Sequence, residues 1–155
     1  MTTAPRPEDC HCLAVRQAGR AITQLYDQHL ASTGLRSTQY AILSRLDRLG
    51  AMTINTLAAQ LGMDRTTMGR NILPLERDGL IAIGSTGEDR RSKALELTRD
   101  GRTRLRAARV QWARAQTAFE KSFGAGRAAQ LRDLLRSVAV AEILPARQGA
   151  GRDQD

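Results

Sequence analysis

Apolar residues recur every three to four positions through most of the chain, which is the spacing of α-helices with one buried face. This spacing predicts longer helices over about residues 10–32, 37–49, 98–123 and 127–144, and two shorter helices between them. In the second helix, Ile42, Leu43, Leu46 and Leu49 are predicted to face inward. The pattern indicates a mostly helical fold.

Two capping signals divide the stretch TINTLAAQLGMDRTTMGRNILPLERDGLI. Thr53 can cap one short helix, Gly62 permits a tight turn, and Asp64 can cap a second helix over about 65–78, with Pro74 in its last turns. Three apolar residues of this second helix are predicted to point inward: Met68, Ile72 and Leu75. Its outward side chains are predicted to be Arg65, Thr66, Thr67, Arg70 and Asn71.

Two predicted strands follow, Leu80–Ile83 and the alternating Lys93–Leu97. The segment GSTGEDRRS between them is polar and, on these strand lengths, too long for a two-residue hairpin. A helix, a turn, a capped helix and a basic β-hairpin together predict a winged helix-turn-helix over about residues 37–98. The fold class is therefore mostly α with a small β-hairpin wing.

A helix of this kind fits the major groove of duplex DNA and presents its first residues to the base edges. Arg65, Thr66, Thr67, Arg70 and Asn71 are therefore the predicted groove contacts. In the wing, Arg90 and Arg91 are predicted to enter a flanking minor groove, and Asp89 to pair with one of them.

The charge supports an anionic partner but does not locate it. The formal net charge is +8, yet residues 64–93 carry six basic and five acidic side chains. A winged helix that binds protein instead of DNA therefore stays an alternative. The excess charge lies in residues 99–136, where the row Arg99, Arg102, Arg106 and Arg109 is typical of a solvated helix face.

Other function classes find little support. No phosphate-binding glycine loop, nucleophile elbow or catalytic carboxylate pair occurs, so neither an enzyme nor a cofactor is predicted. No apolar run is long enough to span a membrane and no signal peptide is evident, which favours a cytoplasmic protein. Residues 1–9 are predicted to form a flexible arm, 10–145 one domain, and 146–155 a disordered tail.

The succession GLRSTQYAILSRL, TINTLAAQLGMDRTTMGRNILPLERDGLI, EDRRSKALELT and Gly101 resembles the MarR family of bacterial regulators. The resemblance covers about residues 10–144, and the Asp-x-Arg signature of the family's wing falls on Asp89 and Arg91. It implies a homodimer held by helices at about 10–32 and 98–144, a pseudo-palindromic operator, and release by a small molecule or oxidant. Independently, the apolar stripes of these terminal helices exceed what the short middle segment can cover, which also favours a dimer.

The family most often responds to an aromatic or phenolic effector. On position, the candidate pocket residues are Tyr26, His29, Tyr40, Met52 and Trp112, each of which is also a plausible core residue. No metal site is predicted, because Cys10, His11 and Cys12 supply at most three ligands.

The alternative trigger is a thiol. The family's peroxide-sensing branch has a reactive cysteine near the start of the first helix and a tyrosine fourteen residues later, which Cys12 and Tyr26 match. Two further tyrosines of that branch are replaced here by Arg16 and Ser37. Arg16 and the helix N-terminus favour a thiolate at Cys12, whose sulfenic acid can condense with Cys10.

Overall fold

The structure is a computed structural model that describes residues 6–86 and 89–141; for residues 85, 86 and 89–92 it describes the backbone alone. The predicted tail 146–155 and the first five residues of the predicted arm lie outside the described residues. The remainder of that arm includes a short 3-10 turn at Pro7–Asp9. Contacts divide the chain into two compact units, Met1–Ala118 and Phe119–Asp155.

Six α-helices dominate the described residues and confirm the predicted fold class. They are α1 (His11–Leu30), α2 (Ser37–Leu49), α3 (Ile54–Gln60), α4 (Arg65–Arg77), α5 (Arg99–Phe123) and α6 (Ala125–Val140). The last helix begins two residues earlier and ends four residues earlier than its apolar pattern predicts.

The helix boundaries follow the predicted local signals. The Thr53 side chain accepts a hydrogen bond from the Thr56 backbone N–H, and the Asp64 side chain accepts one from the Thr67 N–H. Gly62 has a φ of 63°, a left-handed conformation that a side chain disfavours, and it turns the chain between α3 and α4. These caps confirm the predicted starts of both helices.

The wing is part of a three-stranded antiparallel sheet with the order β1-β3-β2, formed by Met52–Thr53, Asp89–Leu97 and Ile81–Thr86 respectively. The prediction of a long loop between residues 84 and 92 is wrong. Both strands extend into that segment, and only positions 87 and 88 separate them. Pairing between β2 and β3 continues through Ser85 and Thr86, with an irregularity between these two residues, and the polar composition of the segment does not reveal this.

The core of the first unit is aliphatic and lies between α2, α3, α4, the sheet and the first half of α5. Its most completely buried large side chains are Leu30, Ile42, Leu43, Leu57, Met68, Leu75 and Leu105. The prediction that Leu49 faces inward is wrong, because this last residue of α2 is 49% exposed.

Thr98 and Gly101 connect the wing to α5. The Thr98 hydroxyl donates to the Gly79 carbonyl oxygen at 2.7 Å and accepts from the Gly101 N–H at 3.0 Å. A Cβ atom on Gly101 would lie 2.0 Å from the backbone oxygen of Leu80. The absence of a side chain at position 101 therefore allows the helix to approach the start of the strand.

In the second unit, the rings of Phe119 and Phe123 stack with centroids 5.3 Å apart, and the Arg127 guanidinium lies 4.3 Å above the Phe123 ring. Ala128 is buried, whereas the end of α6 exposes its large apolar side chains. The exposed residues are Leu134, Leu135, Val138 and Val140.

Candidate DNA-binding surface and effector cavity

The first turns of α4 present a polar surface because the opposite side of the helix is buried. Met68, Ile72 and Leu75 are at most 3% exposed, as their spacing predicts. Arg65, Thr66, Thr67 and Arg70 are exposed, and Asn71 is half-buried. Four of the five predicted groove contacts therefore lie on an accessible helical edge.

Several polar groups on this edge already have protein partners. The Thr67 hydroxyl donates to the Asp64 carboxylate at 2.6 Å, and the Asn71 amide donates to the Thr67 carbonyl oxygen at 2.8 Å. Hydrogen bonds from Thr67 lower the pKa of Asp64 below its ordinary value, so the cap stays ionised at a lower pH than an isolated aspartate does. The Arg65 guanidinium donates to Oδ1 of Asn55 on α3 at 3.1 Å, a contact that sequence periodicity does not reveal.

Asp89, Arg90 and Arg91 lie in β3, within the wing. Their side chains lie outside the described residues, so the predicted pairing of Asp89 with an arginine stays a prediction.

A cavity of about 370 Å³ lies against α1, α2, the end of α3 and α5. Three predicted effector residues line it: Tyr26, Tyr40 and Trp112. The remaining lining residues are Ser37, Ala41, Ser44, Arg45, Arg48 and Leu61. Most of these residues recur every three to four positions along α2, on a side other than the core face formed by Ile42 and Leu43. This mostly polar stripe is a sequence signal for the cavity that the pattern of apolar residues does not reveal.

The two other predicted effector residues are not among those lining the cavity. Met52 forms part of β1 and packs against the hydrophobic core. His29 is half-buried near the end of α1. The cavity thus brings together three of the five.

An aromatic pair lines the cavity, and polar side chains outside the lining interact with its two tyrosines. The rings of Tyr40 and Trp112 stack with centroids 5.7 Å apart and an angle of 14° between their planes. Burial raises the pKa of the Tyr40 phenol, and the nearby Arg109 guanidinium partly opposes this effect. Arg109 in turn donates to Asp47 at 2.6 Å. The Tyr26 hydroxyl donates to Gln116 on α5.

Both cysteines are free and exposed at the start of α1. Cys10 is the N-cap residue, and its sulfur accepts a hydrogen bond from the Leu13 N–H at 3.4 Å. Cys12 and Tyr26 lie on the same helix, and fourteen residues of α-helix span about 21 Å. Tyr26 therefore does not support Cys12 within one chain.

Among the described residues, no group of three or more His, Cys, Asp or Glu side chains has an arrangement that holds a metal ion. None of the helices described has the length and apolar character needed to cross a membrane.

A capped helix that follows a short helix and a glycine turn, with a hairpin beside it, is the winged helix-turn-helix of DNA-binding transcriptional regulators. The comparisons agree with this class. The chain is similar to the M. tuberculosis transcriptional regulator MosR, solved in complex with DNA, with 34% identity and a TM-score of 0.71, covering 83% of this chain and 96% of that one.

Two regulators of Bacillus subtilis are also similar. YwoH, an uncharacterised helix-turn-helix regulator, is 31% identical over 86 residues, which are 56% of this chain and 62% of YwoH. The organic hydroperoxide resistance regulator is 29% identical over 90 residues, which are 58% of this chain and 61% of that protein. The chain thus matches about three fifths of the length of each. The sequence profile of the MarR family matches residues 35–93, and the chain belongs to that family.

Proposed function

We propose that the protein binds a pseudo-palindromic DNA duplex as a homodimer, represses transcription, and is released by a small aromatic effector. The observation that carries this proposal is the exposed first edge of α4 over its buried opposite face. Thr66 and Thr67 are small enough to allow close approach to base edges, and Arg70 is long enough to reach a guanine or a phosphate. In the wing, Arg90 and Arg91 are proposed to grip the neighbouring minor groove.

Exposed apolar side chains support a homodimer. Leu13 and Val15 on α1 are 47% and 53% exposed, and Leu134 and Val138 on α6 are 64% and 53% exposed. Leu134 and Val138 are four positions apart on one face of α6, and an exposed apolar face of this kind is favourable when another surface removes it from water. A second copy of the chain is the proposed surface, because a two-fold dimer presents two α4 helices to paired half-sites.

The composition of the cavity supports an aromatic effector that carries a negative charge. Its volume of about 370 Å³ lies within the usual range for small-ligand sites. Tyr40 and Trp112 offer aromatic surface, while Arg45 and Arg48 offer two guanidinium groups in a lining without carboxylates. The lining includes Leu61, the C-cap residue of α3, so an occupant would contact the helix-turn-helix itself.

DNA binding is tested with duplexes selected by the full-length protein from a randomised pool. We expect binding that weakens steeply with salt, and a loss of about tenfold or more for Arg91→Ala. Arg70→Ala should reduce base discrimination. Arg77→Ala is the matched control, since it alters an exposed arginine at the other end of the same helix. Binding without sequence preference, unchanged by Thr67→Ala and Arg70→Ala, would exclude base reading by α4.

A thiol trigger is the second candidate, favoured by the two exposed cysteines and by the similarity to the hydroperoxide resistance regulator. The Cys12 thiolate would attack an organic hydroperoxide and, with one proton, yield a sulfenic acid and an alcohol. Condensation with the Cys10 thiol would then release water and form a disulfide. Since Cys10 caps α1, that disulfide would also disturb the first turn of the helix.

The two triggers are separated by exposing the protein–DNA complex to cumene hydroperoxide. A thiol trigger predicts release of DNA by wild type and retention by Cys12→Ser. Equal release of both proteins would remove this candidate.

A further inference from the structure

A side-chain hydrogen bond connects the first residue of α4 to α3. The Nη1 atom of Arg65 donates to Oδ1 of Asn55 at 3.1 Å, and both side chains are exposed. Arg65 is the first residue of α4, and Asn55 is the second residue of α3. A guanidinium group has no acceptor atom, so only the amide oxygen of Asn55 can form this bond.

This bond acts on Arg65, one of the two arginine side chains of the edge. A long arginine side chain loses much of its rotamer freedom when it is held in one geometry. Thr66 and Thr67 are short and need no such support, and the Thr67 hydroxyl is already held by Asp64. The single bond to Asn55 occupies one of the five N–H groups of Arg65, which leaves the others for an acceptor on DNA.

We propose that Asn55 is a positioning residue for DNA reading: it orients the Arg65 guanidinium before DNA binds, so that Arg65 distinguishes one base pair in each half-site. The proposal rests on the function proposed above. Guanine is the expected base, because its O6 and N7 atoms accept two parallel hydrogen bonds from an arginine. Asn55 itself makes no base contact in this arrangement and acts through Arg65.

The test uses the full-length protein and the duplexes selected from the randomised pool. The affinity for the selected duplex is divided by the affinity for each single-base-pair variant, which gives a discrimination ratio at every position. Asn55→Ala, Arg65→Ala, the double variant and Asn55→Asp are compared with wild type. Gln60→Ala is the control, since it removes an exposed amide at the other end of α3.

We expect Arg65→Ala to abolish discrimination at one position of each half-site, a loss of about tenfold. Asn55→Ala should lower discrimination at that same position by about fivefold, because one hydrogen bond of the kind that joins Arg65 to Asn55 contributes about that much to an equilibrium constant. The double variant should match Arg65→Ala alone. Asn55→Asp should retain the discrimination, because its carboxylate still accepts from Arg65, even though the added negative charge weakens binding to all duplexes.

Three results would overturn the proposal. The first is that Asn55→Ala lowers discrimination equally in the presence and in the absence of the Arg65 side chain. The second is that Asn55→Ala weakens binding to all duplexes but leaves discrimination unchanged, and the third is that Asn55→Asp loses as much discrimination as Asn55→Ala. Each would mean that Asn55 contacts DNA directly or supports only the fold. Unchanged discrimination in Arg65→Ala would overturn it as well. A wild-type protein that selects no preferred duplex would instead refute the proposed function itself.

Discussion

The guanidinium of Arg109 on α5 donates a 2.6 Å hydrogen bond to the Asp47 carboxylate on α2, 62 positions away in the sequence. The same guanidinium lies near the Tyr40 phenol, whose ring stacks on Trp112. One ion pair therefore connects α2 to α5 beside the proposed effector cavity.

Replacing Asp47 with Ala should weaken this connection modestly. The two side chains are 27% and 49% exposed, so solvent screens the pair and we expect a loss of about 0.5 kcal/mol in the free energy of unfolding. Urea denaturation measures the loss, which should shrink at high salt. Asp78→Ala, which removes the more exposed pair with Arg77, is the control and should change stability less.

The stability of the protein should fall at alkaline pH because of Tyr40. Burial raises the pKa of this phenol above its ordinary value of 10.0, so above that value the folded chain keeps a proton that the unfolded chain loses. The contribution of Tyr40 is therefore fully present below about pH 10 and is lost as the pH rises through the folded pKa. Denaturation of wild type and Tyr40→Phe between about pH 8 and pH 11 measures the effect. If the stability of wild type and of Tyr40→Phe falls in parallel as the pH rises, Tyr40 does not cause the loss of stability.

Gly101→Ala should be strongly destabilising. Its Cβ atom would lie 2.0 Å from the Leu80 carbonyl oxygen, which is backbone and has little freedom to move. We expect a loss of about 3 kcal/mol or more in thermal or urea unfolding. The matched control is Gly19→Ala in α1, where a Cβ atom has no neighbour within 4 Å and should stabilise the helix by up to about 1 kcal/mol. Similar stability of the two variants would contradict the close approach seen here.

Trp112 provides a direct probe of the cavity because it is the only tryptophan in the chain and is 37% exposed. An aromatic anion such as 4-hydroxybenzoate should change its fluorescence, and the uncharged 4-hydroxybenzamide should bind about tenfold more weakly. Replacing both Arg45 and Arg48 with Ala should remove this preference. Equal binding of the two compounds to wild type would show that the arginines do not select charge.

The apolar end of α6 should control the oligomeric state. The double substitution Leu134→Asp and Val138→Asp places two charges on the exposed stripe, and we expect the protein to become monomeric in sedimentation experiments. Leu49→Asp is the control, because Leu49 is similarly exposed but lies on α2. A wild-type monomer, or a variant that stays dimeric, would contradict the role of α6 in the dimer.

The elements themselves could be read from the order of residues. The caps at Thr53 and Asp64, the turn at Gly62 and the buried face of α4 depend on groups within about four positions of each other, and such short-range interactions leave a periodic trace in any sequence. For the same reason, the exposed edge of α4 and its four accessible side chains are predictable from the sequence alone.

Contacts between distant segments leave no such trace, and the fold alone established them. Pairing with β3 turned a polar segment into strand, and the end of α2 left Leu49 uncovered although its spacing matched the core. The meeting of Tyr40 with Trp112 and the bond from Arg65 to Asn55 arise only when whole elements pack. Their energies depend on where two surfaces meet in space, and spacing along a single element does not encode that position.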